Sequence, residues 1–180
     1  MFRRLALWTL VLATAAAAPA VPQSAQGPQA DGIENFLRED ANFCTGGQPT
    51  LAQLAELQKQ GVRAILNLRR PEENYDAKGE EAKAKELNLR YIVIPVDSKA
   101  PTDAEADAFL TAVADPQNRP LFIHCHTANR VGAFWMIRRV LVDGWPLAKA
   151  EAEARKVGLH GPELEAFAKS YIERHAKKSD

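Results

Sequence analysis

Residues 121–132 read LFIHCHTANRVG, and this stretch predicts both the fold and the place where chemistry occurs. The apolar run at residues 121–123 is typical of a buried strand, and it stops at His124 and Cys125. From Arg130 onward, apolar residues recur at helical spacing. The stretch therefore predicts a strand, a tight loop and a helix, with Cys125 where the strand ends and Arg130 where the helix begins.

This placement predicts a reactive cysteine. The first turn of a helix presents unpaired N–H groups and a partial positive charge, and Arg130 adds a full positive charge. Both favour the Cys125 thiolate over the thiol and attract an anionic substrate. The other interpretation is a buried structural cysteine followed by a surface arginine, because free cysteine is among the most buried residue types.

The N-terminal residues predict export. Residues 1–20 have the pattern of a secretory signal peptide, since Arg3 and Arg4 precede an apolar run that ends in small residues. Residues 21–31, rich in Pro, Gln and Ala, predict a flexible leader, and residues 32–180 predict one domain. We therefore expect a periplasmic or secreted protein with no stable membrane insertion after signal cleavage. An uncleaved segment that acts as an anchor is the alternative.

Strand and helix patterns alternate through the rest of the chain. Predicted strands cover residues 41–45, 62–68, 91–96 and the run from Leu121. Predicted helices follow capping boxes at Thr50/Gln53 and Thr102/Glu105, and cover residues 77–87, 130–142, 147–157 and 162–175. Connections too long for hairpins imply parallel strands joined by crossover helices. We therefore expect an α/β fold, with a mostly parallel central sheet flanked by helices.

In such a sheet, ligands bind where the strands end. The loops that follow the strands should meet there, at residues 44–48, 69–74, 97–101 and 125–130. Asp97 is the candidate general acid, and its alternative role is that of a turn residue. Arg69 and Arg70 either add positive charge to the crevice or pair with the glutamates that follow them.

The histidines and the overall charge narrow the classes of partner. Strand alternation points His124 away from the crevice to support the loop backbone, whereas His126 is expected to face the substrate. A zinc site is the other interpretation of His-Cys-His, but adjacent residues do not readily converge on one ion, so no metal and no cofactor is expected. The chain carries 23 basic and 23 acidic residues without a basic stripe, which argues against nucleic acid as a partner.

These residues resemble the signature of the cysteine-dependent protein tyrosine and dual-specificity phosphatases. His124-Cys125 and Arg130 lie on the family's strand, loop and helix, and Asp97 lies at the place of its general acid. More closely, the segments at residues 47–50, 67–69, 95–97 and 129–132 resemble two bacterial subgroups: a phosphatase-like domain linked to β-lactamase-like hydrolases and one fused to NAD kinases. The resemblance implies a dual-specificity-phosphatase-like fold across roughly residues 41–171.

The resemblance also implies roles for individual residues. Cys125 would be the nucleophile, Arg130 would bind the phosphate oxygens and Asp97 would protonate the leaving group. The implied substrate contacts are His126, Thr127, Ala128, Asn129, Val131, Gly132 and Arg69. His124 and Gln48 would be structural support. The chain departs from the pattern in having four residues, not five, between Cys125 and Arg130, the length found in rhodanese-type sulfurtransferases. It also has Val131 where a serine or threonine usually follows the arginine.

Three functions remain open at this point. The first is an exported phosphatase that forms a phosphocysteine on Cys125 and acts on a small phosphorylated molecule or a phosphoprotein. The second is a sulfurtransferase that takes sulfur from a sulfane-sulfur donor as a persulfide on Cys125; it needs no general acid, so Asp97 favours the phosphatase. The third is a non-catalytic module that binds an anion in the same loop.

Cys44 is a candidate for redox control. It ends the first predicted strand, and a parallel sheet brings that end towards the Cys125 loop. In an oxidising compartment we expect a reversible disulfide between Cys44 and Cys125 that protects the nucleophile from over-oxidation. The alternatives are a permanent bridge and a reduced, buried Cys44, since a bridge requires the two Cα atoms to lie within about 7 Å.

Overall fold

The computed structural model describes residues 32–176, which form a five-stranded sheet with helices on both faces. The signal-peptide and leader predictions lie outside the described residues. In chain order the elements are β1 (Leu37–Arg38), β2 (Phe43–Gly46), α1 (Leu51–Lys59), β3 (Ala64–Asn67), α2 (Ala77–Glu86), β4 (Arg90–Val93), α3 (Asp103–Ala114), β5 (Leu121–His124), α4 (Asn129–Leu141), α5 (Leu147–Val157) and α6 (Pro162–Ala176). Within these residues no helix is both long and apolar enough to cross a membrane.

Both predicted capping boxes are confirmed. The Thr50 hydroxyl accepts a hydrogen bond from the Gln53 N–H at 3.2 Å, and the Gln53 side chain accepts one from the Thr50 N–H at 2.8 Å. Thr102 and Glu105 make the same reciprocal pair. Because such a box satisfies N–H groups that the first helical turn leaves unpaired, it determines where α1 and α3 begin.

The sheet has the strand order β1-β2-β5-β3-β4, which places β5, the strand that ends just before Cys125, in the middle. Strands β2, β5, β3 and β4 run parallel, so the mostly parallel sheet is confirmed, and only the edge strand β1 is antiparallel to its neighbour. The two-residue strand β1 was not predicted, because two residues are too few to show a period. His124 pairs in register with Gly46 on one side and Asn67 on the other, so three strands end side by side.

The two faces of β5 contribute to different cores. Leu121 and Ile123 pack in the larger core, against helices α3 to α6, whereas Phe122 packs in the smaller core beside α1 and α2. Burying one such side chain contributes about 1.5–3 kcal/mol to stability. Helix α4 is buried from Arg130 through Arg139, so packing on all sides sets the position of the helix that carries Arg130.

Candidate active site

The carboxyl end of β5 opens into a cavity of about 290 Å³ around Cys125. The Cys125 residue is only 1% exposed, so a ligand reaches its sulfur through this cavity. The residues that line the cavity come from the loops after β3, β4 and β5 and from the first turn of α4, and are Arg70, Glu73, Ser98, Cys125, His126, Thr127, Asn129 and Arg130. Three of the four loops that were predicted to meet therefore line this cavity, whereas residues 44–48 do not.

The loop after Cys125 has the shape of an anion cradle. Ala128 is left-handed, with φ 63° and ψ 6°, and it precedes α4 without a side-chain capping hydrogen bond. A left-handed residue beside right-handed ones turns successive N–H groups to the same side, as in the backbone nests that bind anions. Because no side chain caps α4 at Ala128, its first N–H groups stay available to a ligand.

The hydrogen bonds of Arg130 aim its guanidinium group. Nη1 donates to the Glu73 carboxylate and to the Val96 carbonyl at 3.0 Å, and Nη2 donates to the other Glu73 oxygen at 2.9 Å. A guanidinium has five N–H donors, so these bonds leave the side-on pair, on Nε and Nη2, for the loop and its ligand. Burial would lower the pKa of Arg130, but the hydrogen bonds to Glu73 and the charge of Cys125 outweigh it and raise this pKa.

Glu73 was not among the predicted site residues. Its carboxylate also accepts hydrogen bonds from Nε of Arg69 at 3.0 Å and from the Arg70 N–H at 2.9 Å. Burial would raise the pKa of Glu73, but the hydrogen bonds from Arg130 and the Arg70 N–H outweigh it and lower this pKa to about 2. Glu73 is therefore a carboxylate at neutral pH that holds Arg130, and it is unsuited to donate a proton.

A chain of hydrogen bonds connects the two ends of the cysteine loop behind the cavity. The buried His124 ring contacts the Glu80 carboxylate at 2.7 Å, and Glu80 accepts from the Gln48 amide at 2.7 Å. The Gln48 amide oxygen in turn accepts from Arg69 at 2.9 Å, and Arg69 donates to Glu73. Because both Glu80 and His124 are less than 3% exposed, loss of one partner would leave a buried polar group unsatisfied. The structure thus places Gln48 and His124 in supporting positions.

Asp97 is not part of the cavity lining, but it precedes the lining residue Ser98 in the loop after β4. Its carboxylate accepts from Nη1 of Arg70 at 2.8 Å and from the Lys99 N–H at 2.9 Å, and its side chain is 37% exposed. Its neighbours Val96 and Ser98 contact Arg130 and line the cavity, respectively. Asp97 therefore lies next to the site while its carboxylate is engaged by Arg70.

Three of the predicted substrate contacts lie outside the cavity lining. The Val131 side chain is fully buried in the core, so Val131 offers a ligand only its N–H group in the first turn of α4. At Gly132 an added Cβ would lie 2.7 Å from the Ala154 carbonyl, so this residue allows α4 to approach α5 rather than to contact a ligand. Arg69 is 4% exposed and stacks over the Tyr75 ring at 4.0 Å; it holds Glu73 and lies outside the cavity lining. Ala128 is buried too, so its contribution to binding comes from its backbone.

The predicted disulfide between Cys44 and Cys125 is wrong. Both cysteines are free, and Cys44 pairs in register with Phe122, three residues before Cys125. At about 3.3 Å per residue this separates the two by about 10 Å along the strands, beyond the reach of a disulfide. The two side chains also belong to different cores, and burial raises the pKa of Cys44 to about 12. Cys44 is therefore a protonated packing residue whose Sγ lies 3.7 Å from the Leu121 carbonyl.

The donor set of the cavity suits an anion. Among residues 32–176, no group of three or more His, Cys, Asp or Glu side chains is arranged to hold a metal ion. The cavity instead combines Arg130, the loop amides and a recessed thiol. This is the arrangement required to bind a tetrahedral oxyanion against a sulfur nucleophile.

A central parallel strand that delivers a cysteine into an anion loop closed by an arginine defines the cysteine-dependent phosphatase class of fold. The chain belongs to the family described as DSP-PTPase phosphatase fused to NAD+ kinase, whose model matches residues 18–160. A β-lactamase hydrolase-like protein of Xylella fastidiosa is 31% identical over 133 residues, which is 72% of this chain but only 30% of that protein. The dual specificity protein phosphatase TpbA of Pseudomonas aeruginosa is 25% identical, over 87% of this chain and 70% of TpbA.

The fold is similar to that of solved phosphatase structures. A putative phosphatase (DUF442) from Shewanella putrefaciens superposes with a TM-score of 0.69 at 20% identity, covering 80% of this chain and 92% of that one. The predicted dual-specificity-phosphatase-like fold is therefore confirmed. The chain spans less than a third of the β-lactamase hydrolase-like protein from Xylella, so the activity of that whole protein does not transfer to it.

Proposed function

We propose that this protein is an exported phosphatase that hydrolyses phosphomonoesters through a phosphocysteine on Cys125. The observation that best supports this proposal is the orientation of Arg130. Glu73 and Val96 accept hydrogen bonds from three of its N–H groups, and the side-on pair, on Nε and Nη2, remains for phosphate oxygens. The left-handed loop adds backbone N–H groups around the same space. Phosphoryl transfer depends mainly on such positioning and charge stabilisation, which supports this reaction class.

The proposed reaction has two steps. In the first, the Cys125 thiolate attacks phosphorus, the S–P bond forms, the bond from phosphorus to the leaving oxygen breaks, and Asp97 gives that oxygen a proton. In the second, Asp97 takes a proton from water as the water oxygen bonds to phosphorus, and the S–P bond breaks to return the thiolate. The products are an alcohol or phenol and inorganic phosphate.

Arg70 connects substrate binding to the proton donor. It lines the cavity and also pairs with Asp97 at 2.8 Å. A phosphate dianion in the cavity competes for Arg70. We expect this competition to weaken the Arg70–Asp97 pair and to free the Asp97 side chain to reach the leaving group.

A sulfurtransferase is the second candidate, and loop length is the observation that favours it. Four residues separate Cys125 from Arg130, so the ring of amides is small and suits a persulfide sulfur. Sulfur transfer to a thiol needs no acid at Asp97. The two candidates therefore differ in both substrate and dependence on Asp97.

The deciding experiment presents purified protein with an aryl phosphate and, separately, with thiosulfate and cyanide. We expect release of the phenol and of phosphate in the first assay and negligible thiocyanate in the second. Cys125→Ser is the inactive control and Cys44→Ala is the matched cysteine control. Thiocyanate formation without phosphate release would replace the phosphatase with the sulfurtransferase. Fractionation of cells that express the full chain tests the proposed export, which predicts the protein outside the cytoplasm.

A further inference from the structure

We infer that Asn35 is a positioning residue of the active site, which turns the amides of the cysteine loop towards the bound anion. Asn35 lies before β1, 92 residues away from the loop residue that it contacts. Nothing in the local sequence around Asn35 points to a role in the site. The inference rests on the proposed use of the loop as an oxyanion cradle.

The direction of each carbonyl group in the cysteine loop determines where the next N–H group points. In a planar trans peptide, the C=O of one residue and the N–H of the next point in opposite directions. A loop that presents N–H groups to an anion must therefore turn the preceding carbonyls outward, and those carbonyls need partners. The His126 carbonyl accepts from the Gln48 N–H at 2.9 Å, and the Thr127 carbonyl accepts from the Asn35 side-chain amide at 3.0 Å. These contacts turn the N–H groups of Thr127 and Ala128 inward.

Two glycines give the same carbonyls the room that they need. A Cβ added to Gly47 would lie 2.8 Å from the His126 carbonyl oxygen, and one added to Gly158 would lie 2.9 Å from the Thr127 carbonyl oxygen. Both distances are shorter than real side-chain carbons tolerate. The Thr127 carbonyl is thus enclosed between a glycine and the Asn35 donor. The inference rests on these two contacts of the Thr127 carbonyl, the hydrogen bond from Asn35 and the close approach of Gly158.

The residue type suits both demands at position 35. Asn35 has φ 52°, in the left-handed region that asparagine adopts more readily than most residues. Its amide also supplies the N–H that Thr127 needs. Glycine would keep the backbone conformation and lose the donor, whereas an ionised aspartate would keep the shape but offer only acceptors. Asn35→Gly and Asn35→Asp therefore separate the donor from the backbone.

The test measures binding of tungstate, a tetrahedral oxyanion, to the purified protein by calorimetry. We expect Asn35→Gly to weaken tungstate binding about three- to tenfold, the effect of one hydrogen bond, and Asn35→Asp to weaken it further by repulsion. Asn88→Gly is the matched control, because Asn88 is also left-handed (φ 55°) but lies after α2, away from the site. Asn88→Gly should bind tungstate like the wild type. All variants should unfold within a few degrees of the wild type.

Any one of three results would overturn the inference. The first is unchanged tungstate affinity in both Asn35 variants, and the second is a wild type that binds no tungstate. Weakened binding that merely accompanies a large fall in melting temperature would likewise reduce Asn35 to a structural role. The phosphatase proposal fails independently: a wild type that binds tungstate through Asn35 but releases no phosphate from an aryl phosphate leaves the positioning role intact.

Discussion

The contact between Glu73 and Arg130 gives the sharpest quantitative prediction, through the substitution Glu73→Gln. Glutamine keeps the size of the side chain but turns an NH₂ group towards cationic donors. In the wild type the carboxylate accepts two hydrogen bonds from Arg130 and one from Arg69. After the substitution, the two guanidinium groups would lie close together without their shared counter-charge.

The expected loss of stability can be obtained in two ways. Removing one partner of a buried ion pair costs about 3–5 kcal/mol, and the 20% exposure of the Glu73 side chain reduces that to about 2–3 kcal/mol. The pKa of Glu73 gives a similar value: the displacement from 4.5 to about 2 corresponds to at most about 3 kcal/mol, which solvent screening of this partly exposed carboxylate lowers. We therefore expect Glu73→Gln to lower the free energy of unfolding at pH 7 by about 2–3 kcal/mol.

The pH dependence has a definite sign. A carboxyl group whose pKa is lower in the folded than in the unfolded protein adds stability above its unfolded pKa and loses that contribution as pH falls towards its folded pKa. For Glu73 this window runs from pH 4.5 down to about 2. The difference between wild type and Glu73→Gln should therefore be constant above pH 6 and shrink by roughly half or more by pH 3.

Urea denaturation at pH 7 and at pH 3 measures both effects. Glu72→Gln is the matched control, because Glu72 is 63% exposed and pairs with Arg70 at 3.3 Å on the surface. Such a pair contributes about 0–1 kcal/mol, so Glu72→Gln should change little. Equal stability of Glu73→Gln and wild type at pH 7 would refute the reasoning. So would a difference that grows as pH falls.

Three further predictions concern other parts of the molecule. Asp97→Asn should slow hydrolysis of alkyl phosphates on the order of 10² to 10⁴-fold, and should slow hydrolysis of aryl phosphates with good leaving groups much less. Equal slowing of both substrates would exclude Asp97 as the general acid. Cys44→Ala should lose and recover activity after mild peroxide and dithiothreitol as the wild type does, because the buried Cys44 takes no part in protecting Cys125; a different recovery, measured with intact mass, would contradict this. Burial and the adjacent charge of Glu153 raise the pKa of Glu39 to about 7. The free energy of unfolding of the wild type should therefore fall by about 1–3 kcal/mol between pH 4.5 and 7, whereas that of Glu39→Gln should not show this fall. If urea denaturation gives the same pH dependence for both proteins, the prediction is wrong.

Local signals in the sequence were enough to predict most helices. The capping boxes and the spacing of apolar residues act within a few positions, so the starts of α1 and α3 and the bounds of α5 follow from short stretches of sequence. The strand carrying Cys125 was likewise predictable, because a short apolar run that stops at His124 marks a buried strand.

Contacts between distant segments were not predictable in the same way. The sequence predicted that the strand containing Cys44 ends near the Cys125 loop, and β2 does lie beside β5. The register that pairs Cys44 with Phe122, however, depends on packing of the whole sheet. Glu73 follows two arginines, so a local pair is the natural expectation, and its contact with Arg130 across 57 residues appears only in the fold. Its one signal was its place in a loop that follows a strand.

Val131, the residue after Arg130, leads to a direct test of the central claim, which is that Cys125 forms a phosphocysteine. The usual hydroxyl after the arginine is replaced by a fully buried valine, so nothing at this position assists departure of the thiolate. We therefore expect the phosphocysteine on Cys125 to break down slowly and to accumulate. Acid quenching of the wild type within the first turnovers of an aryl phosphate, followed by peptide mass spectrometry, should find one phosphoryl group on Cys125 and none in Cys125→Ser. Phosphate release without a phosphoryl group on Cys125, or with one on another residue, would contradict the account.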